Sequence, residues 1–163
     1  PNEGRIKKLK ENIARLRLDT SVTIVEDTIG SLLPVMKEKF YGVLIDAPCS
    51  GLGVIRRHPD IRWNRTPEDL LHYQEIQSAI LDSAAQLLAS GGTLVYATCS
   101  TEPEENEEVI QNFLAQHPRF ILSNCRDVLP QNGAPFVDSK GFFKTLPGQD
   151  DLDGFFGARL IKK

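Results

Sequence analysis

The fold class is indicated by one segment, Tyr41-Gly42-Val43-Leu44-Ile45-Asp46-Ala47-Pro48-Cys49-Ser50-Gly51-Leu52-Gly53. Its apolar run, Val43-Leu44-Ile45, is typical of a buried parallel strand. The run ends at a carboxylate, Asp46, which is followed by a proline, a thiol and two glycines. In open α/β sheets, ligands bind just beyond the carboxyl ends of the strands. The sequence therefore predicts that Asp46 and Cys49 lie at a ligand-binding crevice.

A second segment has the same form. Thr93-Leu94-Val95-Tyr96-Ala97-Thr98-Cys99-Ser100 is an apolar strand that ends on a thiol. Two of the three cysteines thus lie at the carboxyl ends of predicted strands, and we expect both at one crevice. The third, Cys125, lacks a glycine-rich turn and an acidic neighbour, so we interpret it as structural.

The composition bounds the class of protein. A chain of 163 residues predicts a single domain. The net charge of −3 excludes a protein that is basic overall, so any contact with nucleic acid would depend on local basic patches. Three cysteines cannot all pair, and the sequence has no metal-type Cys/His spacing and no long apolar run. We therefore expect a cytoplasmic protein with no metal site and no membrane contact.

Strands alternate with helices along the chain, a pattern that predicts a mostly parallel α/β sheet. The apolar periodicity and the helix start and stop signals predict helices over residues 3–17, 29–39, 66–91 and 101–117. Besides the two strands above, they predict strands at Val22–Val25, at Phe120–Leu122, near Phe142-Phe143 and at Phe155–Ile161, with residues 130–154 mostly in a loop.

Two further groups of residues are candidates for binding. Arg56, Arg57, Arg62 and Arg65 lie within ten residues, together with the only tryptophan, Trp63. Dense positive charge beside an aromatic ring favours phosphate contact and base stacking, as in RNA binding. The alternative is a surface loop held by salt bridges. Asp27 follows the predicted strand Val22–Val25 and has two equal interpretations, a ligand contact or a cap of the next helix.

Four motifs together resemble a known family, the NOL1/NOP2/Sun family of S-adenosylmethionine-dependent RNA cytosine-5 methyltransferases. The resemblance is strongest to the bacterial branch that modifies small-subunit ribosomal RNA. It implies a Rossmann-like methyltransferase fold, with S-adenosylmethionine as cofactor and RNA as partner. The motifs are Asp46-Ala-Pro-Cys49-Ser-Gly, Arg56-Arg-His-Pro-Asp-Ile-Arg62-Trp63, Thr98-Cys99-Ser100 with Pro103-Glu-Glu-Asn106, and Asp153-Gly-Phe-Phe-Gly-Ala-Arg159-Leu.

The resemblance also implies a role for each matching residue. Cys99 matches the family's nucleophile, and Cys49 matches the second cysteine, which assists release of the product. Asp46 matches a carboxylate near the methionine end of the cofactor and the target base. Asp27 matches an acid that holds the adenosine part. Arg159 lies in the matching terminal motif and is given no catalytic role.

The resemblance further implies that the glycine-rich cofactor loop and the ribose-binding acid precede Pro1. We therefore expect residues 1–163 to be the carboxyl-terminal part of a catalytic domain, without the first strands of its sheet. The partner is then the upstream part of the same domain, and the chain alone is expected to be inactive.

The chemistry of cytosine methylation fits these residue types. Carbon 5 of cytosine is a poor nucleophile, and addition of a thiolate to carbon 6 activates it. A thiol, a second thiol and a carboxylate on adjacent strand ends supply the reacting groups. The glutamates that follow Cys99 oppose a helix-dipole effect of only ~0.3–1 kcal/mol. We therefore predict no strongly lowered pKa for Cys99.

Local chemistry alone does not decide which thiol attacks. DNA cytosine-5 methyltransferases use the thiol of a Pro-Cys motif, which would be Cys49, whereas the resemblance favours Cys99. Buried cysteines also serve simply as small apolar residues. Two other function classes stay open: a non-enzymatic RNA-binding or assembly module, and a thiol redox protein that uses Cys49 and Cys99 as a dithiol pair.

Overall fold

The computed structural model describes residues 3–38, 40–149 and 151–163. Four helices and five strands follow one another along these residues. The helices are α1 (Glu3–Arg15), α2 (Ile29–Met36), α3 (Pro67–Leu87) and α4 (Glu107–Gln116). The strands are β1 (Phe40–Asp46), β2 (Leu88–Thr98), β3 (Phe120–Ser123), β4 (Phe143–Thr145) and β5 (Phe155–Lys162).

The strands form one sheet in the order β1-β2-β5-β3, and β4 also pairs with β5. Strand β1 is parallel to β2, whereas β5 is antiparallel to β2, β3 and β4. The prediction of an α/β sheet is confirmed, but its mostly parallel character is only partly right. Four strands run in one direction and β5 runs against them, because a loop and not a crossover helix connects β4 to β5.

The pairing of β1 with β2 sets the position of the two cysteine segments. Asp46 is opposite Ala97 in the parallel register. One residue further on, the Ala47 amide donates to the Ala97 carbonyl at 2.9 Å. Both strands therefore end at the same edge of the sheet, and the segments that carry Cys49 and Cys99 leave that edge side by side.

One face of the sheet packs on helices α3 and α4. Alternate side chains of the two central strands point into this core, as the period of two along a strand requires. The buried set is Leu94, Tyr96 and Thr98 from β2, Phe156, Ala158 and Leu160 from β5, Leu81, Ala84 and Ala85 from α3, and Val109, Ile110 and Phe113 from α4.

Helix α3 starts as predicted but ends earlier. The Thr66 amide donates to the Asp69 carboxylate at 2.8 Å, which caps the first turn. The helix ends at Leu87, and Gly91-Gly92 lies within β2 instead of terminating the helix. The buried Lys162 ammonium donates to the carbonyl oxygens of Ala85 and Leu88, so a cation from β5 caps the helix end.

Two other predictions needed correction. No strand forms at Val22–Val25; its two valines are 41% and 46% exposed, and the sheet of the described residues offers it no neighbouring strand. Helix α4 begins at Glu107, six residues later than predicted, after a short 3₁₀ turn at Pro103–Glu105. The change of direction lies at Asn106, whose side chain bonds Thr98 and the Ser100 carbonyl instead of continuing a helix.

The remaining elements follow the prediction closely. Helices α1 and α2 and strands β3, β4 and β5 form within two residues of their expected limits, apart from the end of α2 at Met36. Lys39, the expected last residue of α2, and Asp150, in the expected loop, lie outside the described residues. No helix within the described part of the chain is both long enough and apolar enough to span a membrane.

Candidate active site

The two predicted site cysteines are in direct contact. The Sγ atoms of Cys49 and Cys99 lie 3.0 Å apart, and both side chains are half-buried free thiols. The contact follows from the parallel register of β1 and β2, which places two loops at one edge of the sheet. The expectation that the two cysteines lie together at one edge of the sheet is therefore confirmed.

The contact divides the protons unequally between the two sulfurs. A hydrogen bond from the Cys49 thiol lowers the pKa of Cys99 to about 7, although burial and the charges of Asp46 and Glu105 act in the opposite direction. The pKa of Cys49 is raised because its proton is held by the Cys99 sulfur, and burial adds to the effect. At neutral pH, Cys99 therefore loses its proton more readily than Cys49 does.

This result corrects the expectation that the pKa of Cys99 is not strongly lowered. Glu105, one of the glutamates that follow Cys99, does oppose its ionisation. The hydrogen bond from Cys49 outweighs this effect, and that bond exists only because the fold joins two segments 50 residues apart.

Asp46 completes the group at this edge. It ends β1, its side chain is exposed, and its negative charge acts on the Cys99 thiol. Three of the predicted site residues, Cys49, Cys99 and Asp46, therefore lie together. A carboxylate open to solvent beside a thiolate is free to accept hydrogen bonds from a ligand.

Asp27 lies in a different setting. Its carboxylate is exposed, accepts the Thr28 amide at 2.7 Å and has its pKa lowered by a hydrogen bond with Ser31 and by the Thr28 amide. Thr28, and not Asp27, occupies the N-cap of α2, so Asp27 lies one residue before the cap and bonds groups beside the first turn. Asp27 also lines a cleft of about 320 Å³ with Ile24 and Val25, large enough for part of a small ligand.

The four arginines are not equivalent. Arg56 and Arg57 donate through Nε to the two carboxylate oxygens of Asp153, at 2.7 and 2.5 Å. Arg65 donates to the Ser50 carbonyl at 2.9 Å. Arg62 is exposed and forms no ion pair within the described ranges. Three of the four arginines thus hold the segment against the rest of the fold.

Gly53, directly before the arginine segment (residues 54–65), joins this part of the chain to Cys99 and to Gly154. The Gly53 amide donates to the Cys99 carbonyl at 3.0 Å, and the Gly154 amide donates to the Gly53 carbonyl at 2.7 Å. A Cβ atom on Gly53 would lie 2.1 Å from the Gly154 carbonyl oxygen. Only glycine allows these two backbones to approach so closely.

The sequence did not single out Glu105, which is fully buried beneath both cysteine loops. The five glutamates between residues 102 and 108 together indicate a solvated acidic surface. The available signal was the proline at 103, which begins a 3₁₀ turn that ends at Glu105, before the helix starts at Glu107. The sequence also did not identify Ser50 and Ser100, which follow the two cysteines. A serine next to a cysteine forms no distinctive pattern.

Comparison with known proteins places the chain in a family. The profile described as 16S rRNA methyltransferase RsmB/F matches residues 1–161. The chain belongs to the RsmB/F family. It is 41% identical over 162 residues to the ribosomal RNA small subunit methyltransferase B of Vibrio vulnificus, which aligns with 99% of this chain and 35% of that protein.

Two solved structures share the fold of this RsmB/F chain. One, the protein PH0851, superposes with a TM-score of 0.87 at 32% identity and covers 99% of this chain and 35% of its own. The other is NSun6 from Pyrococcus horikoshii with SFG, with a TM-score of 0.81, 28% identity, and 99% and 39% coverage. The chain spans about a third of the length of the curated relatives it matches.

Proposed function

We propose that the protein carrying this chain transfers a methyl group from S-adenosylmethionine to carbon 5 of cytosine in small-subunit ribosomal RNA. The observation that carries the proposal is the pair of sulfurs 3.0 Å apart, with the pKa of Cys99 lowered to about 7. A thiolate with a proton donor beside it is suited to reversible addition to a pyrimidine ring. The RNA class is inferred from the RsmB/F family and its relatives.

Cys99 begins the reaction as the nucleophile. Its thiolate forms a bond to carbon 6, and the electron pair displaced from the ring makes carbon 5 nucleophilic enough to take the methyl group. A base then removes the proton from carbon 5, the bond between sulfur and carbon 6 breaks, and Cys99 leaves as a thiolate. Cys49 retains its proton at neutral pH and stabilises the departing thiolate by the same hydrogen bond.

The exposed carboxylates fit the polar ends of S-adenosylmethionine. Asp46 at the end of β1 would accept hydrogen bonds from the methionine end and the target base, and Asp27 would accept them from the adenosine part beside its apolar cleft. When bound, the cofactor supplies an electrophilic methyl group on a sulfonium. Arg62 and Trp63, both exposed, would contact RNA phosphates and bases, together with the partly exposed Arg56, Arg57 and Arg65.

The upstream part of the same domain is the proposed partner of this chain. Strand β1 is the last strand on its side of the sheet formed by the described residues. Its Leu44 is 71% exposed and its Tyr41 is 79% exposed. An unpaired edge with exposed apolar side chains is suited to pairing with another strand.

Two substitutions in the full-length protein test the proposal. Cys99→Ala is expected to give neither methylated product nor a covalent adduct, because no sulfur reaches carbon 6. Cys49→Ala is expected to form the adduct and release it slowly, so that protein stays attached to RNA. The measurement is a denaturing gel with labelled RNA and S-adenosylmethionine. An adduct with Cys99→Ala and none with Cys49→Ala would reverse the two roles.

A dithiol redox protein is the second candidate, since two thiols in contact are also what a redox pair requires. It predicts a reversible change between dithiol and disulfide during turnover and no labelled RNA product. A non-enzymatic RNA-binding module predicts RNA binding with no adduct in either variant. The gel therefore separates the methyltransferase from both alternatives, and the reversible thiol–disulfide change separates the redox protein from the RNA-binding module.

A further inference from the structure

The carboxylate of Glu105 connects the two cysteine loops. It is fully buried and accepts four hydrogen bonds. Oε1 accepts from the Ser50 amide at 2.8 Å and from Gln77 Nε2 at 3.1 Å, and Oε2 accepts from the hydroxyls of Ser50 and Ser100, both at 2.5 Å. Ser50 directly follows Cys49 and Ser100 directly follows Cys99. One side chain thus holds the residue next to each sulfur.

The backbone of Glu105 is fixed as well as its side chain. The buried Tyr96 hydroxyl donates to the Glu105 carbonyl at 2.7 Å, from the middle of β2. The next residue, Asn106, accepts from Thr98 and donates to the Ser100 carbonyl, on either side of Cys99. The carboxylate is therefore anchored to the sheet, and the loops are anchored to the carboxylate.

A fully buried carboxylate is energetically costly unless hydrogen-bond donors or a cation compensate its charge. Burial of a charge costs several kcal/mol, and Glu105 forms no ion pair among the described residues. Four donors compensate the charge. A glutamine would have one acceptor oxygen, so it could not accept from both loops in the same way.

The position of the loops matters because hydrogen bonds to sulfur depend steeply on distance and angle. The only other direct side-chain link between the two serines is a contact of 3.4 Å between their hydroxyl oxygens. The two loops are also joined through their backbones, where the Gly53 amide donates to the Cys99 carbonyl at 3.0 Å. The carboxylate adds a side-chain link between the residues that directly follow the two sulfurs.

We propose that Glu105 is a positioning residue that sets the separation of the Cys49 and Cys99 sulfurs by binding Ser50 and Ser100 together. Only the purpose of this separation, the reaction of Cys99 with cytosine, rests on the proposed function. The separation itself can be measured without RNA or cofactor.

The test is the effective concentration of the two thiols in the full-length protein. Equilibration with glutathione converts two protein thiols and one glutathione disulfide into one protein disulfide and two glutathione thiols. Mass spectrometry of the linked peptides quantifies the Cys49–Cys99 bond separately from Cys125. Glu105→Gln is expected to lower the effective concentration about tenfold, given that hydrogen bonds to charged groups are among the stronger ones.

Glu108→Gln is the matched control. It removes the same charge three residues away on an exposed side chain, and its effective concentration is expected to stay within about twofold of the unmodified protein. The measurements are made well below the unfolding temperature of each variant. Under these conditions, replacing a residue that only stabilised the fold would change neither the folded fraction nor the thiol–disulfide equilibrium.

Ser100→Ala keeps the proposal testable if Glu105→Gln does not fold. It removes one hydroxyl and is expected to give a smaller decrease, and in the Glu105→Gln background it should add less than it does alone. A Glu105→Gln protein that matches Glu108→Gln would overturn the proposal. The proposal would also be overturned if Ser100→Ala alone did not change the effective concentration, or if its effect added fully to that of Glu105→Gln. A failure of RNA methylation would leave these results unaffected, so the two proposals fail separately.

Discussion

The two cysteine loops and the arginine segment, residues 54–65, are neighbours that are held in opposite ways. Ser50 and Ser100 are almost completely buried, and a buried carboxylate bonds both of them. Trp63 is 81% exposed, and Arg62 has no ion pair within the described residues. One region is fixed by internal contacts, and the other presents part of its charge to solvent.

The difference shows what a local pattern can reveal. In a buried loop, each polar atom needs a partner, so the residues there are constrained by both folding and chemistry. In the arginine segment, charge density alone does not separate a structural arginine from a binding one. Arg56 and Arg57 bind Asp153, about a hundred residues later in the sequence, while Arg62 remains open.

The largest expected effect lies where the two regions meet. Gly53→Ala places a Cβ atom 2.1 Å from the Gly154 carbonyl oxygen and 2.9 Å from the Cys99 carbonyl oxygen. These are backbone atoms that cannot rotate away, so we expect the free energy of unfolding to fall by roughly 3 kcal/mol or more. Urea unfolding measures the change.

Gly42→Ala is the control for this prediction. A Cβ atom on Gly42, in β1, would meet no atom within 4 Å. Its effect on the unfolding free energy is expected to stay near ~0.5 kcal/mol. Equal losses in the two variants would contradict the close approach of Gly53 and Gly154.

The next effect concerns the proton shared by the two thiols. The pKa of Cys99 is lowered to about 7, so about half of it is thiolate at pH 7 and alkylation of Cys99 should rise through that pH. Cys49→Ala removes the hydrogen-bond donor, and the pKa should return toward its usual value, ~8.5. The alkylation rate at pH 7 should then fall about tenfold.

Iodoacetamide labelling followed by peptide mass spectrometry gives this rate as a function of pH. Because a lowered pKa means that the thiolate persists to lower pH, the midpoint must move upward in Cys49→Ala. Cys125→Ala changes a buried thiol outside the pair and should leave the midpoint where it was. A midpoint that does not move in Cys49→Ala would show that another group lowers the pKa.

Much of this fold could be predicted from the sequence, because its signals are local. The apolar runs of β1 and β2, the capped start of α3 and the His117-Pro118 end of α4 depend on neighbouring residues. The positions of Cys49, Cys99 and Asp46 followed from one rule about strand ends. The positions were predicted correctly because each apolar run is followed directly by the reactive side chains.

The errors arose where distant residues decide the structure. Val22–Val25 has the composition of a strand but no neighbour in the sheet of the described residues. The end of α3 depends on Lys162, and the buried position of Glu105 depends on Ser50. The pKa of Cys99 depends on a thiol 50 residues away. None of these partners can be identified from local periodicity.

The smallest expected effect is within the arginine segment itself. Arg62→Ala removes an exposed charge without an ion pair, so the unfolding free energy should change by less than about 0.5 kcal/mol. If Arg62 contacts an RNA phosphate, the slope of log affinity against log salt should become less steep by roughly 0.7, since one fewer counterion is released from single-stranded RNA. Binding should weaken equally for all RNA sequences, because phosphate contacts carry no base information.

Filter binding over a range of salt concentrations measures the slope, and Arg56→Ala is the variant for comparison. Arg56 also binds Asp151 and Asp153, so its loss should reduce stability as well as RNA affinity. An unchanged salt slope in Arg62→Ala would mean that Arg62 contacts no RNA phosphate, and that the exposure of its charge does not by itself mark a binding residue.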